Sequence, residues 1–353
     1  MPGTERPLAP LEIACDESGF TGTSLAEHGT VFCHASLLVE PAAADDLVAR
    51  VRAETGSTTG ELKAQRLFRP RARPTLRRLL DPLAGLPDRA YVQLTDTRRF
   101  LLARILEVLL DDDAPSALDL PGRCEPVRTM VATLAAGGPI WFGEPGWRRF
   151  LRRGADVLRL GGRHTSPYAL ERFGEALDDL RHRPAPATAR TVLDLLDAER
   201  AIGRLGDRAR SRAWPRPLLE PLIPAVARAA LHWAPPGGEL RVVHDEQSVL
   251  TPGRIDQLAA GLRADRPGTR LALVRVDSAL DARVQLADLM AGIARRAAAG
   301  VLLGKPDPEL VALVEPLIEP GGRLTGGYGL TGDDGAPQTL RVPPGRTHPA
   351  GRD

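Results

Sequence analysis

The first ordered pattern is the stretch Leu11 to Gly19, where Ile13 and Cys15 alternate with smaller or polar neighbours at the period of two expected of a half-buried strand. Asp16 and Glu17 are poor strand formers, so the strand is expected to end there. Gly19 and Gly22 can supply the positive backbone angles of a sharp turn. Thr30 to Val39 predicts a second strand, close enough in the chain to pair antiparallel with the first. Pro41 then opens a helix at a position where proline is tolerated, Leu47, Val48 and Val51 give it an apolar stripe, and Gly56 ends it. Pro74 to Leu86 predicts a helix, Ala90 to Thr95 a third strand, and Thr97 to Leu110 a strongly periodic helix.

From Asp111 to about Pro215 the pattern changes to Arg-rich amphipathic pieces, Trp147 to Leu160 and Pro167 to Leu180, without a convincing strand. Arg183-Pro184-Ala185-Pro186 marks a loop among them. Leu218 to Trp233 predicts helix, Glu239 to His244 a fourth strand, Arg254 to Arg263 a helix and Arg270 to Val276 a fifth strand. That strand-helix-strand run implies a parallel pair. A helix from Ala282 to Val301 and a short one around Pro308 to Ile318 follow, and the Gly/Pro-rich tail from Gly321 is expected to be disordered. The organisation is therefore α/β. A mixed five-stranded sheet flanked by helices is supplied by residues 1–110 and 216–320, with a large helical insertion at 111–215 and a flexible tail at 321–353.

With 353 residues and 43% hydrophobic content the chain can bury a full core. No run approaches the roughly 20 apolar residues of a membrane helix. Met1 to Pro10 reads as a loose leader without a basic segment followed by an apolar one, so a cytoplasmic protein without a membrane partner is expected. Cys15, Cys33 and Cys124 are odd in number and far apart, and are expected to be reduced, buried side chains. A net charge of +2 argues neither for nor against a nucleic-acid partner. Lys and Arg total 47, yet only Lys63 and Lys305 are lysines. A lysine kept beside an acid, as Lys63 is beside Glu61, draws attention to a role that arginine does not fill.

Asp16, Asp245 and Asp277 each follow a predicted strand, and ligands of open parallel sheets gather at the carboxyl ends of strands. Aspartate is also common there as a turn or cap residue, the preferred reading for Asp277. Asp288 lies in Val284 to Ala294, apolar nearly all the way round. Burying an unpaired carboxylate costs several kcal/mol, so Asp288 calls for a base, a hydrogen bond or a cation. A buried ion pair with an arginine competes with the cation reading. Gln285 and Gly292 sit one turn before and after it. In Gly60 to Leu67, Glu61 and Lys63 share a face if extended and point roughly 200° apart if helical.

Four carboxylates, Asp16, Glu61, Asp245 and Asp288, suit Mg2+ or Mn2+. Two such ions can clamp the attacking and leaving oxygens of a phosphodiester, with Lys63 as a phosphate contact or a stabiliser of developing charge. Glu17, Ser18, His244, Asp277 and Gln285 are the neighbours expected to support them.

Taken in order, Asp-Glu-Ser-Gly at 16–19, Glu-Leu-Lys at 61–63, His-Asp-Glu at 244–246, Val-Asp-Ser at 276–278 and Gln-Leu-Ala-Asp-Leu-Met-Ala-Gly at 285–292 resemble the bacterial family called domain of unknown function 3800. The resemblance covers about residues 10–100 and 238–300. It implies a ribonuclease H-like fold and a metal-dependent nuclease related to mobile elements or to defence against them, acting on DNA or RNA. By position, it implies that Asp16 is the first-strand acid, Glu61 the middle acid, Asp245 the fourth-strand acid and Asp288 the final-helix acid.

Two other readings remain. A restriction-endonuclease-like nuclease would use Asp16, Glu61 and Lys63, and an extended 61–63 with Asp288 far away would favour it. A non-catalytic protein with the same fold would bind nucleic acid or protein through arginines such as Arg148, Arg149, Arg152, Arg153 and Arg208 to Arg212. It would be favoured by wide separation of Asp16, Asp245 and Asp288. A serine hydrolase built on Ser18 or Ser278 lacks the Gly-x-Ser-x-Gly elbow. His34, His164 and His232 read as ordinary structural or surface residues. The pattern specifies no oligomeric state.

Overall fold

The computed structural model describes residues 10–19, 25–57, 62–81, 89–110, 125–160, 167–195 and 218–318. Over these residues the chain divides into two compact units, one formed by the segments up to Phe100 and from Leu219 on, the other by Leu101 to Leu218.

The first unit is α/β. Its strands are β1 (Leu11–Ser18), β2 (Val31–Leu37), β3 (Ala90–Asp96), β4 (Glu239–Asp245) and β5 (Arg270–Val276), in the order β3-β2-β1-β4-β5. β1 to β3 form an antiparallel meander, whereas β4 pairs parallel with β1 and β5 parallel with β4. The mixed sheet expected from the pattern is present. The helices of this unit are α1 (Pro41–Thr55), α2 (Arg73–Leu79) and the start of α3 (Thr97–Leu110). Later in the chain come helices that we number α8 (Leu222–Trp233), α9 (Pro252–Asp265), α10 (Ala282–Leu302) and α11 (Pro308–Val314), α4 to α7 being those of the helical unit below.

Alternation along the strands sends successive side chains to opposite layers. On one side Cys33, Ala35, Leu37, Val92 and Leu94 pack against α1, α10 and α11. On the other, Ile13, Cys15, Leu240 and Val242 pack with α8 and α9, and Phe32 joins Leu222, Val226 and Leu258. Covered on both faces, all seven residues of β2 are buried, while β5 at the sheet edge is half exposed. α9 is the crossover that makes β4 and β5 parallel.

Three expectations need correction. β1 does not end at Asp16: the ladder continues through Asp16↔Ala35, Glu17↔His34 and Ser18↔Cys33. The β2 ladder runs on past the end of the β4 pairing at Cys15 and overrides the poor strand propensity of two acids. The helix placed at Pro74 to Leu86 runs only from Arg73 to Leu79 after a 3-10 turn at Pro70–Ala72, and residues 82–86 lie outside the described residues. The helix placed at Leu218 begins at Leu222, behind Pro221.

The second unit is helical: the rest of α3, then α4 (Glu125–Phe142), α5 (Glu144–Leu160), α6 (Pro167–Arg181) and α7 (Ala187–Leu195). Its core holds the ring series Phe142, Trp147, Phe150 and Phe173. Arg149 reaches Asp179 at 2.6 Å and Glu175 at 3.4 Å, and Arg153 reaches Asp156 at 3.3 Å. These charges are therefore compensated locally. Arg208 to Arg212, His164, the leader before Pro10 and the tail from Gly321 lie outside the described residues. Cys15 and Cys33 are free and buried, with thiols pushed up by burial, while Cys124 is also outside. No helix among the described residues is long and apolar enough to cross a membrane.

Candidate active site

The site begins where β1 reaches its carboxyl end. Ala14 packs with Val243 of β4 and Val284 of α10, so these three elements share one layer. Two residues further along each strand, Asp16 and Asp245 face that layer, and one turn further along α10 stands Asp288. Asp16 is 5% exposed. Burial, followed by the carboxylates of Glu17, Asp288 and Asp245, pushes its acid up to about 9. A hydrogen bond from the Glu17 backbone N–H to Asp16 Oδ1 (2.7 Å) opposes this only in part. The fold thus gathers Asp16, Asp245 and Asp288, the first more than 200 residues from the others in the chain, into one electrostatic cluster.

Each partner is held by its own element. Asp245 Oδ1 accepts the backbone N–H of Ser278 at 3.0 Å. Asp288, whose side chain is 18% exposed, lies with Oδ2 3.8 Å from Lys63 Nζ. Lys63 has extended backbone (φ −110°, ψ 130°) and precedes a 3-10 turn at Ala64–Arg66. Buried Leu62 anchors the segment in the core. Its close approach to α10 depends on Gly292, because a Cβ there would stand 2.6 Å from Ala64 Cβ. The segment from Leu62 to Ala64 is therefore laid against α10 one turn beyond Asp288. Glu61 itself lies outside the described residues.

The neighbouring residues divide by role. Gln285 accepts Arg52 Nη2 at 3.0 Å and donates to Ala279 O at 3.2 Å, tying α1 and the turn after β5 to α10. Both ends of its amide thus hold neighbouring segments against the helix that carries Asp288. Asp277 is exposed and caps the 3-10 turn Ser278–Leu280 by accepting the N–H of Ala279 at 2.9 Å. Ser18 Oγ accepts Arg295 Nε at 3.0 Å.

Because β1 continues past Asp16, Glu17 faces the opposite layer. There its Oε2 is 3.8 Å from His244 Nε2, and the His244 ring stacks on His34 with centroids 5.5 Å apart. Burial, then Asp245, Glu220 and Asp288, raises the Glu17 acid to about 8. Burial drives His244 down to about 4, and burial with His244 beside it drives His34 well below the ordinary histidine range. Both rings are neutral. His244 Nδ1 lies 3.0 Å from the Asp245 carbonyl, to which only an N–H can donate. His244 therefore supports the backbone of Asp245 rather than its carboxylate. His34 and Glu220 join this environment without any motif in the sequence pointing to them. The polar alternation His34, Ser36 in an otherwise apolar strand is the one signal the chain offers for His34.

In kind, the oxygen donors Asp16, Asp245 and Asp288 suit a hard divalent cation, and their mutual repulsion in a buried place favours one. In number, no group of three or more His, Cys, Asp or Glu among the described residues stands close enough to hold a metal ion. Of the two features of a restriction-endonuclease-like site, an extended 61–63 segment is seen only at Lys63, because Glu61 lies outside the described residues. The other, a distant Asp288, is not found. Comparison with protein-family models, curated proteins and solved structures returns no match.

Proposed function

We propose that the chain is a divalent-metal-dependent nuclease on a ribonuclease H-like sheet, as its resemblance to the family called domain of unknown function 3800 implies. The observation that carries this reading is buried Asp16, its proton retained by burial and by neighbouring carboxylates that include Asp245 of β4 and Asp288 of α10, at the carboxyl end of the parallel strands. Asp16, Asp245 and Asp288, with Glu61, would hold Mg2+ or Mn2+. When bound, the metal supplies a lowered water pKa and neutralises charge on a phosphodiester. Asp16 is the acid that must give up its proton to become a ligand. Asp245 is pre-oriented by the Ser278 N–H. Lys63, its side chain 57% exposed, presents an ammonium at the rim where a phosphate oxygen would arrive.

A non-catalytic nucleic-acid-binding reading is favoured by one observation, the lack of a three-ligand group among the described residues. Titration calorimetry with Mg2+ and Mn2+ separates the two. The nuclease reading expects wild type to bind, Asp16→Asn and Asp288→Asn both to lose binding, and both to lose cleavage of DNA or RNA. If wild type binds neither ion, with or without nucleic acid, the nuclease reading fails.

A further inference from the structure

α10 and β1 run alongside one another, and their rises match. Val284 packs on Ala14, the Asp288 carboxylate acts on Asp16, and Arg295 meets Ser18 and Gly19. Eleven helical residues advance about 16 Å at about 1.5 Å each, and five strand residues about 16 Å at about 3.3 Å each. Arg295 therefore lies two turns beyond Asp288 on the same helix, next to the end of the strand that carries Asp16. Its stem is seated tightly. Gly19 has φ 96°, and any Cβ on it would collide with Arg295 Cδ and with the Val31 carbonyl. The tether from Arg295 Nε to Ser18 Oγ fixes the guanidinium plane. That bond uses one of five N–H donors, and the two terminal amino groups make no other hydrogen bond or ion pair among the described residues.

The geometry points to Arg295 as a phosphate-contacting residue that holds the nucleic-acid backbone beside the acids, a role that rests on the nuclease reading. Burying the stem and tying Nε leave a planar fork of donors already oriented, so little freedom remains to be surrendered when two phosphate oxygens are accepted. Lys63 and Arg295 then flank Asp288 along the chain's packing, one through its own ion pair and one through Ser18. The acids would repel a phosphodiester approaching alone. A fixed cation two turns along the helix offsets that repulsion and sets where the backbone lies.

The test uses the full chain and a labelled 12-nucleotide single strand, as DNA and as RNA. Affinity is read by fluorescence anisotropy at several salt concentrations, cleavage by initial rates in Mn2+, and metal binding by calorimetry. Arg295→Gln is expected to weaken strand affinity and raise KM roughly 10- to 100-fold, the range of a charge-assisted hydrogen bond. The slope of log affinity against log salt should flatten by about 0.7, because one fewer phosphate is neutralised. Mn2+ binding should stay within about twofold of wild type, because a phosphate-binding arginine is not a metal ligand. If Arg295→Gln fails to fold, Arg295→Lys decides: it keeps the charge and the salt slope but removes the fork, and a several-fold drop in affinity is expected. Wild-type affinity and slope in whichever variant folds would overturn the role of Arg295 while leaving the nuclease reading standing. A wild type that neither binds nor cleaves either strand would overturn both.

Discussion

Asp16 is the residue on which the site turns, and its protonation gives the first prediction. Its acid is held near 9 in the folded, metal-free chain, against about 3.9 for an ordinary aspartate. Between those values the folded state binds more protons than the unfolded one. Stability is therefore greatest below the lower value and falls as pH rises toward the upper one, with a slope of at most about 1.4 kcal/mol per pH unit from this group. Asp16→Asn removes that slope, so with chelator present the variant should melt above wild type, and by more at pH 8 than at pH 6. Added Mn2+ should reverse the order. Equal melting of the two proteins at both pH values would contradict the burial of a charged cluster. Lys63 behaves in the opposite manner. Its ammonium is exposed and meets Asp288 only at 3.8 Å, so the pair is worth about 1 kcal/mol or less, and Lys63→Ala should leave the melting temperature nearly unchanged and lower cleavage by tenfold or more.

At the scale of elements, the packing of the 62–66 segment on α10 rests on one missing methyl group. An alanine in a helix is normally about 1 kcal/mol better than glycine. At Gly292 that gain meets a collision with Ala64, so Gly292→Ala is expected to destabilise by roughly 1–3 kcal/mol and to lower activity by displacing Lys63. Ala64→Gly in the same chain restores the space. Recovery of melting temperature and activity in the double variant is expected, and additive losses would show that the two residues do not press on each other. The same scale shows what the sequence could and could not say. β2 to β5, α3 and α10 were legible because their apolar periods are long and their ends carry proline, glycine or acids. Asp16, Asp245 and Asp288 were legible as acids placed at strand ends or in an apolar helix. The division of Asp16 and Glu17 between two faces was not, because local propensity ends β1 early and only the β2 ladder extends it. α4 was hidden by Gly137, Gly138 and Pro139, residues that normally break a helix. Here Gly138 makes room for the Trp147 ring. Arg295 was hidden by abundance, one arginine among many, although its i+7 spacing from Asp288 was in plain view.

For the whole molecule, the arginine-rich composition does not translate into an open basic surface on α5. Arg149 is shared between Asp179 and Glu175, and Arg153 faces Asp156. Replacing both arginines with glutamine should change strand affinity less than twofold and leave its salt dependence intact, since their charges are already answered within the helical unit. A large drop in the anisotropy signal would instead mark α5 as a docking face.

The central position of β1 also has a consequence in time. Its antiparallel partner β2 follows within about a dozen residues, but its parallel partner β4 begins more than 200 residues later. At the usual 5–20 residues per second, the ribosome needs roughly 10 to 40 s to deliver it. Throughout that interval one edge of β1 has no ladder, and Asp16 has neither Asp245 nor Asp288 beside it. The repulsion among the acids thus arises only when the last third of the chain docks, so a cation available at that moment would act on the final step of folding as well as on the finished site.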